Sequence, residues 1–308
     1  MSKSIPPTIS VIILTNNRPH LLKKALTSIN NQTIKPIEVI TVNDSSTLLK
    51  QSVSVIRNST TTPPLIKHNS KHSISYGRSI GMKAARGDIV VYLDDDCEAS
   101  STYLRKFRDH FSKNPRVTAV IGRITNALPD NVYASTQYAY YDRGLRRFFP
   151  TLDRIKPLTW GRILDCEVMG IRRNKLNTFG FPDRDRLYRN DDVELGLRLI
   201  QAKEYIIFDP SIIAHASPRT SLKPLWTAAF WNGYSDACTE NLYNINLRSA
   251  PYQSFFPTWC IKELQSKHTF SIWKKIGYFF LLLSFPTVSR IGKVWYYTKT
   301  TYERGPRI

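Results

Sequence analysis

The 308-residue chain has only four cysteines, Cys97, Cys166, Cys238 and Cys260, and they are widely scattered. No CxxC pair or Cys/His spacing occurs, which argues against a zinc site or a disulfide framework. Residues 1–8 hold two prolines and no apolar stretch, so an ordinary secretory signal is not expected and a reducing, cytosolic setting fits. Internal repeats and low-complexity segments are lacking too. The apolar stretch from Ile276 to Ser289 falls short of the roughly 20 residues that a membrane-spanning helix needs, and it contains Pro286. Negative charge is scarce: 24 Asp and Glu stand against 44 Lys and Arg, a formal charge of +20. Such an excess suits an anionic partner, whether nucleic acid, a phosphorylated substrate or an acidic membrane face. Hydrophobic residues, at 42%, still supply ample core for a globular chain.

The few acids are not spread evenly. They gather at Asp94-Asp95-Asp96 and at Asp191-Asp192 with Glu194. Around them, strands and helices alternate. Thr8 to Leu14 predicts a buried strand, and Pro19 opens a helix carrying Leu21, Leu22, Ala25, Leu26 and Ile29. Ile37 to Val42 predicts a second strand ending at the turn Asn43-Asp44-Ser45-Ser46, and Leu65 to Lys67 a short third. Tyr76 to Arg86 predicts a helix with Gly87 at its C-terminus. Ile89 to Leu93 is the clearest strand, followed by a helical face of Tyr103, Leu104, Phe107 and Phe111 and a strand at Val117 to Ile121. This alternation predicts an α/β fold with a mostly parallel sheet flanked by helices, in which ligands bind beyond the carboxyl ends of the strands. From about Arg219 the pattern becomes helical and aromatic. The expected division is a catalytic domain at 1–218 and a helical, aromatic and basic extension at 219–308.

Three carboxylates at the end of a buried strand disfavour one another's ionisation unless something compensates them. A hard divalent cation does so, since Mg2+ or Mn2+ needs only one or two carboxylates when phosphate oxygens complete its shell. The competing reading is a helix N-cap and first turn, where Asp is favoured. Asp191-Asp192 opens a helix with Leu195 and Leu199 on one face, so its acids serve either the helix terminus or a general base acting on an acceptor hydroxyl. Asp44 is either an Asx turn or a contact for a nucleobase or ribose. Arg78 is a diphosphate contact or a solvated basic residue. His215 is a packed loop histidine or a further metal or phosphate contact.

In their order, these segments resemble the family 2 glycosyltransferases with the GT-A, Rossmann-like fold. ISVIILTNNRPHLLKKALTSINNQ is similar to the family's opening strand and helix, and VITVNDSS to its second strand and nucleotide-contacting turn. SYGRSIGMKAARGDIVVYLDDDC resembles the helix and metal-binding Asp-x-Asp segment, and MGIRRNKLNTFGF with NDDVELGLRL the acceptor side. The likeness runs from about Ile9 to His215. It implies that Thr15, Asn17, Asp44, Arg78, Asp94 and Asp95 contact the nucleotide. It further implies that Asp96 and Asp94, with His215, hold Mg2+ or Mn2+. Asp192 would be the catalytic base, with Asp191 positioning the acceptor. Asn43 and Ser45 stand where the family has an acid and a glycine, so the base is uracil or another.

The implied activity is inverting transfer of a sugar from a nucleotide-sugar, a UDP-sugar in the first instance, to a glycan or lipid-linked acceptor. Cations and aromatics flank the apolar stretch (Trp273, Lys274, Lys275 before it, Arg290, Lys293, Trp295 after it), which suits a peripheral place on an anionic membrane at its inner face. An ordinary core helix is the alternative. Tyr138 to Phe149, aromatic and basic, is either a mobile element over the acceptor site or a surface helix with buried tyrosines. A sugar nucleotidyltransferase would carry a glycine-rich loop where this chain has Thr15-Asn16-Asn17-Arg18. A nucleic-acid-binding protein would use the +20 charge but has no need of paired acids, so no nucleic-acid partner is expected; a catalytically silent sugar-nucleotide binder is the third alternative.

Overall fold

The computed structural model describes residues 5–43, 65–68, 73–146, 148–149, 151–159, 164–182, 189–245, 247 and 256–304. The strands are β1 (Ile9–Thr15), β2 (Glu38–Asn43), β3 (Leu65–His68), β4 (Ile89–Asp94), β5 (Cys97–Ala99), β6 (Val117–Asn126), β7 (Lys156–Pro157), β8 (Met169–Arg172) and β9 (Tyr205–Ala216). The helices are α1 (Pro19–Asn30), α2 (Ile74–Ala84), α3 (Tyr103–Lys113), α4 (Val132–Arg146), α5 (Arg173–Phe179), α6 (Asp191–Gln201), α7 (Leu222–Tyr243), α8 (Phe256–Ser266) and α9 (Ile272–Arg304).

All nine strands form one sheet in the order β3-β2-β1-β4-β8-β6-β9-β5, with β7 beside β9. Parallel pairing joins β3, β2, β1 and β4. Strands β1 and β4 are buried on both faces, as in a sheet covered on both sides: Val11, Ile12, Ile13, Val90 and Val91 are fully buried. Beyond β4 the sheet turns antiparallel, through β8 and then β6. This turn matters for the site. Because Tyr92 pairs with Met169, the chain entering β8 arrives at the carboxyl end of β4. A short 3-10 turn at Cys166–Val168, capped by the Asp165 carboxylate accepting from the Glu167 N–H, makes that approach.

Gly87 plays another part than closing a helix. Helix α2 stops at Ala84 in extended backbone, and a Cβ at Gly87 would lie 2.5 Å from the Ser10 nitrogen. The glycine lets its own segment run against β1, and the Ser10 hydroxyl accepts from its N–H at 2.8 Å. The helical face foreseen at Tyr103, Leu104, Phe107 and Phe111 is buried as a set.

Two compact units emerge. The first comprises residues 1–125, 153–185 and 191–216, and holds the sheet; the second comprises 126–152, 186–190 and 217–308, and is helical. Within the second, α7 and α9 touch backbone to backbone. A Cβ at Gly233 would sit 1.7 Å from the Ser289 carbonyl oxygen, and one at Gly292 2.0 Å from that of Phe230. The segment at Tyr138 is part of helix α4, with half-buried tyrosines, and Tyr140 stacks on Phe285 at 4.6 Å.

Candidate active site

The carboxyl ends of β1 and β4 lie side by side because Leu14 pairs with Asp94. Thr15, one residue on, therefore reaches Asp95 and donates its hydroxyl proton at 2.6 Å. The chain then turns through Asn17, whose φ of 51° is a left-handed conformation that asparagine tolerates. That turn delivers Arg18 to the acids: its Nε donates to Asp95 at 3.1 Å, a terminal nitrogen pairs with the other Asp95 oxygen, and a second reaches Asp96 at 3.1 Å. Arg18 is a site residue that the sequence reading passed over. Its signal was position, one residue before the helix-opening proline.

Asp94 ends β4, Asp95 and Asp96 form a turn, and Cys97 begins β5. The helix N-cap reading of the triplet is thereby excluded: strand, turn and strand leave no helix for these acids to cap.

Arg78 projects from α2 and is the hub of the second cluster. Its side chain is only 7% exposed, which removes the solvated reading. One terminal nitrogen donates to both Asp191 oxygens, at 2.8 and 2.9 Å, and lies 3.9 Å from Asp192; the other lies 3.7 Å from Asp94. Its Nε, also buried, has no hydrogen-bond partner among the described residues. Helix α2 is held in place by Tyr92, whose hydroxyl donates to the Arg78 carbonyl at 3.4 Å, and by the Ser75 hydroxyl on the Pro182 carbonyl. Asp191 and Asp192 occupy the first turn of α6, where unpaired N–H groups favour negative charge. Asp192 accepts from the Val193 N–H at 2.7 Å and the Cys166 N–H at 3.3 Å.

One patch thus unites Thr15, Arg78, Asp94, Asp95, Asp96, Asp191 and Asp192, and adds Arg18 and Asp165. Its electrostatics follow from burial of many acids beside two guanidinium groups. Burial opposes the charge on Arg78, yet Asp191, with Cys166, Asp94 and Asp192, outweighs it and holds its pKa well above the ordinary value. Burial raises Asp94 despite Arg78, and pushes Asp95 up to about 7 despite Arg18 and Thr15. Asp165 rises to about 6, chiefly through burial, with Asp94 and Asp96 adding to it. Asp192 rises to about 8, again chiefly through burial, reinforced by Asp191 and Asp165 and opposed by Arg78. An isolated acid such as Asp165 carried no motif; only the antiparallel β4–β8 pairing makes it a neighbour of Asp94.

The other foreseen residues lie as follows. Asp44 directly follows β2 and falls outside the described residues. His215 is no packed loop residue: it sits exposed on β9, paired across the ladder with Glu98, its Nδ1 2.7 Å from the Thr125 hydroxyl. Among the described residues no three His, Cys, Asp or Glu side chains close into a cage for an ion. The donor set nonetheless fits a hard dication: carboxylate oxygens in surplus over guanidinium charge, raised pKa values that a cation would relieve, and no need for more than one or two protein ligands beside phosphate.

Comparison with known proteins agrees with this architecture. The solved structure of S. aureus TarS superposes with a TM-score of 0.54 over 84% of this chain and 49% of its own, at 14% identity. A mycobacterial protein gives the same score over 78% of this chain and 76% of its own. Their likeness shows the GT-A type of fold. Among curated sequences, the Campylobacter jejuni GalNAc(5)-diNAcBac-PP-undecaprenol beta-1,3-glucosyltransferase is 35% identical over 114 residues, 34% of this chain and 36% of that one. The chain thus matches only about a third of that relative's length. The Haloferax volcanii glucosyl-dolichyl phosphate glucuronosyltransferase is 26% identical over 252 residues, covering 76% of this chain and 78% of its own. The model of the family described as "Glycosyl transferase family 2" matches residues 10–177, more than half of the sequence, from the first strand through the segment after β8. The chain belongs to glycosyl transferase family 2.

Proposed function

We propose that this protein transfers a sugar from a nucleotide-sugar donor, of the UDP-sugar class, to a hydroxyl of a lipid-linked or glycan acceptor, with inversion at the anomeric carbon. One observation carries the reading: Arg78 ties Asp94, at the end of β4, to Asp191 and Asp192, at the start of α6, in a single buried patch. Donor-side and acceptor-side acids therefore work within reach of one guanidinium group. The acceptor class is supported by relatives whose names place their substrates on undecaprenol pyrophosphate and dolichyl phosphate.

Thr15, Asn17 and Asp95 line the turn where the nucleotide would lie, and Asp44 is the further residue assigned to it. Arg78 stands beside the diphosphate position. Members of the family generally use divalent cations; Asp94 and Asp96, with His215, are the residues that would hold Mg2+ or Mn2+. Such an ion, when bound, neutralises the diphosphate leaving group. Asp192 accepts the proton of the attacking hydroxyl. Raised to about 8, its carboxylate is a stronger proton acceptor than an ordinary aspartate. The oxygen attacks opposite the departing diphosphate, and one displacement inverts the carbon. Asp191, fixed by two bonds to Arg78, keeps that hydroxyl oriented.

Two measurements test the proposal. Thermal melting with UDP, GDP, dTDP and CMP, each with and without Mg2+ or Mn2+, should show stabilisation by the cognate nucleotide that the cation strengthens. Asp192→Asn should then lose sugar transfer by about 100-fold or more while its nucleotide-induced shift persists. Full turnover by that variant would sink the assignment of the base.

A further inference from the structure

Helix α9 has two unlike faces. One is built into the helical unit: Tyr278, Leu282, Phe285 and Tyr296 are buried, the Tyr278 hydroxyl meets Glu263 at 3.1 Å, and Tyr296 packs edge-on against Tyr234. The other face is exposed and apolar. Ile272, Ile276, Phe280, Leu283, Ile291 and Val294, with Thr287 filling the gap, recur at spacings of four, four and three residues. Such a pattern advances by about 3.67 residues per turn and stays on one side of a helix. Ile272, Phe280 and Val294 are 66%, 63% and 61% exposed. At 1.5 Å per residue the stripe is about 33 Å long. Apolar surface of that extent, on a helix whose opposite face is already packed, calls for an occupant.

We infer that this stripe lies flat in the headgroup region of an anionic lipid surface. Charge selects the occupant. Residues 272–304 contain six Lys and Arg and one acid, Glu303. Arg290 falls in line with Ile272, five turns along, and Lys275 borders the same line. Trp273 and Trp295, both exposed, stand near the two ends of the stripe, where indole rings favour the interface between water and hydrocarbon. Lys293 is already paired with Glu240, but a second copy of the helix would set Lys275 and Arg290 against like charges, whereas phosphate headgroups neutralise them. No helix among the described residues is long and apolar enough to cross a membrane, so contact is in-plane. The core-helix and membrane-contact readings of this segment thus apply to opposite faces of one helix. The inference does not depend on what sugar the protein transfers, or whether it does.

The test is flotation of the full chain with vesicles of phosphatidylglycerol and phosphatidylcholine, against phosphatidylcholine alone. Binding to the anionic vesicles, with a blue shift of tryptophan emission, is expected. The triple variant Ile276→Ser/Phe280→Ser/Ile291→Ser changes only exposed positions and should bind at least about tenfold more weakly with an unchanged melting curve. Lys275→Glu/Arg290→Glu should bind more weakly to anionic vesicles specifically. Equal binding by the wild type and the serine variant would overturn the inference. So would self-association abolished by the serine substitutions in a protein that ignores vesicles, which would assign the stripe to a second copy.

Discussion

Arg78 is a single cation set among Asp94, Asp191 and Asp192, all of them largely withdrawn from water. Replacing it by methionine keeps the volume of the side chain and leaves the carboxylates without their partner. Breaking a buried pair from one side costs about 3–5 kcal/mol, so Arg78→Met should lower the urea midpoint sharply at pH 8. The loss should shrink toward pH 5, where Asp94 and Asp192, both raised by burial, take up protons instead of standing charged and alone. Asp192 offers a second measurement. Its pKa lies near 8, far above the ordinary value near 4, so the carboxyl is protonated below that pH and a poor base there. The proposed mechanism therefore has kcat/KM rising as pH passes through about 8 in the free enzyme. A profile that is flat from pH 6 to 9 would contradict it. Sequence reasoning picked out Asp94, Asp95, Asp96, Asp191 and Asp192 because clustered acids stand out in a basic chain, and Arg78 because its segment lacks acidic neighbours. It missed Arg18 and Asp165 because a lone charged residue shows its partner only once the chain is folded.

The α7–α9 contact sets the element scale. Gly233 and Gly292 each face a carbonyl oxygen of the opposite helix, so an added methyl group meets backbone, not a side chain that can swing aside. Gly233→Ala should cost on the order of 1–3 kcal/mol, as overpacking does, although alanine gains about 1 kcal/mol in helix propensity. Gly277, on the same helix α9, has open space within 4 Å of the point where a methyl group would sit. Gly277→Ala should therefore stabilise by up to about 1 kcal/mol. The pair of denaturation curves separates packing from propensity, and two shifts of the same sign would refute the contact. Strands β1, β2 and β4 were legible in advance because a parallel strand buried on both faces is a continuous apolar run. Of the antiparallel half, β6 was foreseen at Val117 to Ile121, whereas β5, β7 and β8 were not. Strand β9 carries Pro210 near its middle, so its continuation to His215 looked like a loop. Gly87 looked like a helix stop because glycine serves two needs, backbone freedom and close approach, and sequence does not distinguish them.

At the scale of the molecule, the helical unit is gathered from three stretches, and the chain passes between the two units five times. Helix α4 belongs to that unit through Tyr140, whose ring stacks on Phe285 and whose hydroxyl bonds the Leu282 carbonyl. Tyr278 likewise reaches the Ser135 carbonyl at 3.4 Å. A fragment ending at residue 218 would keep α4 and lose the residues of α7, α8 and α9 that pack on it. Such a fragment should aggregate or bind hydrophobic dye on purification, whereas a monodisperse, cooperatively melting fragment would show that α4 needs no partners. The interleaving bears on descent as well. A helical appendage hung on one end of a catalytic domain can be exchanged whole between genes by a single recombination. One gathered from three stretches has no such seam, so a single crossover would divide it, parting α4 from α9.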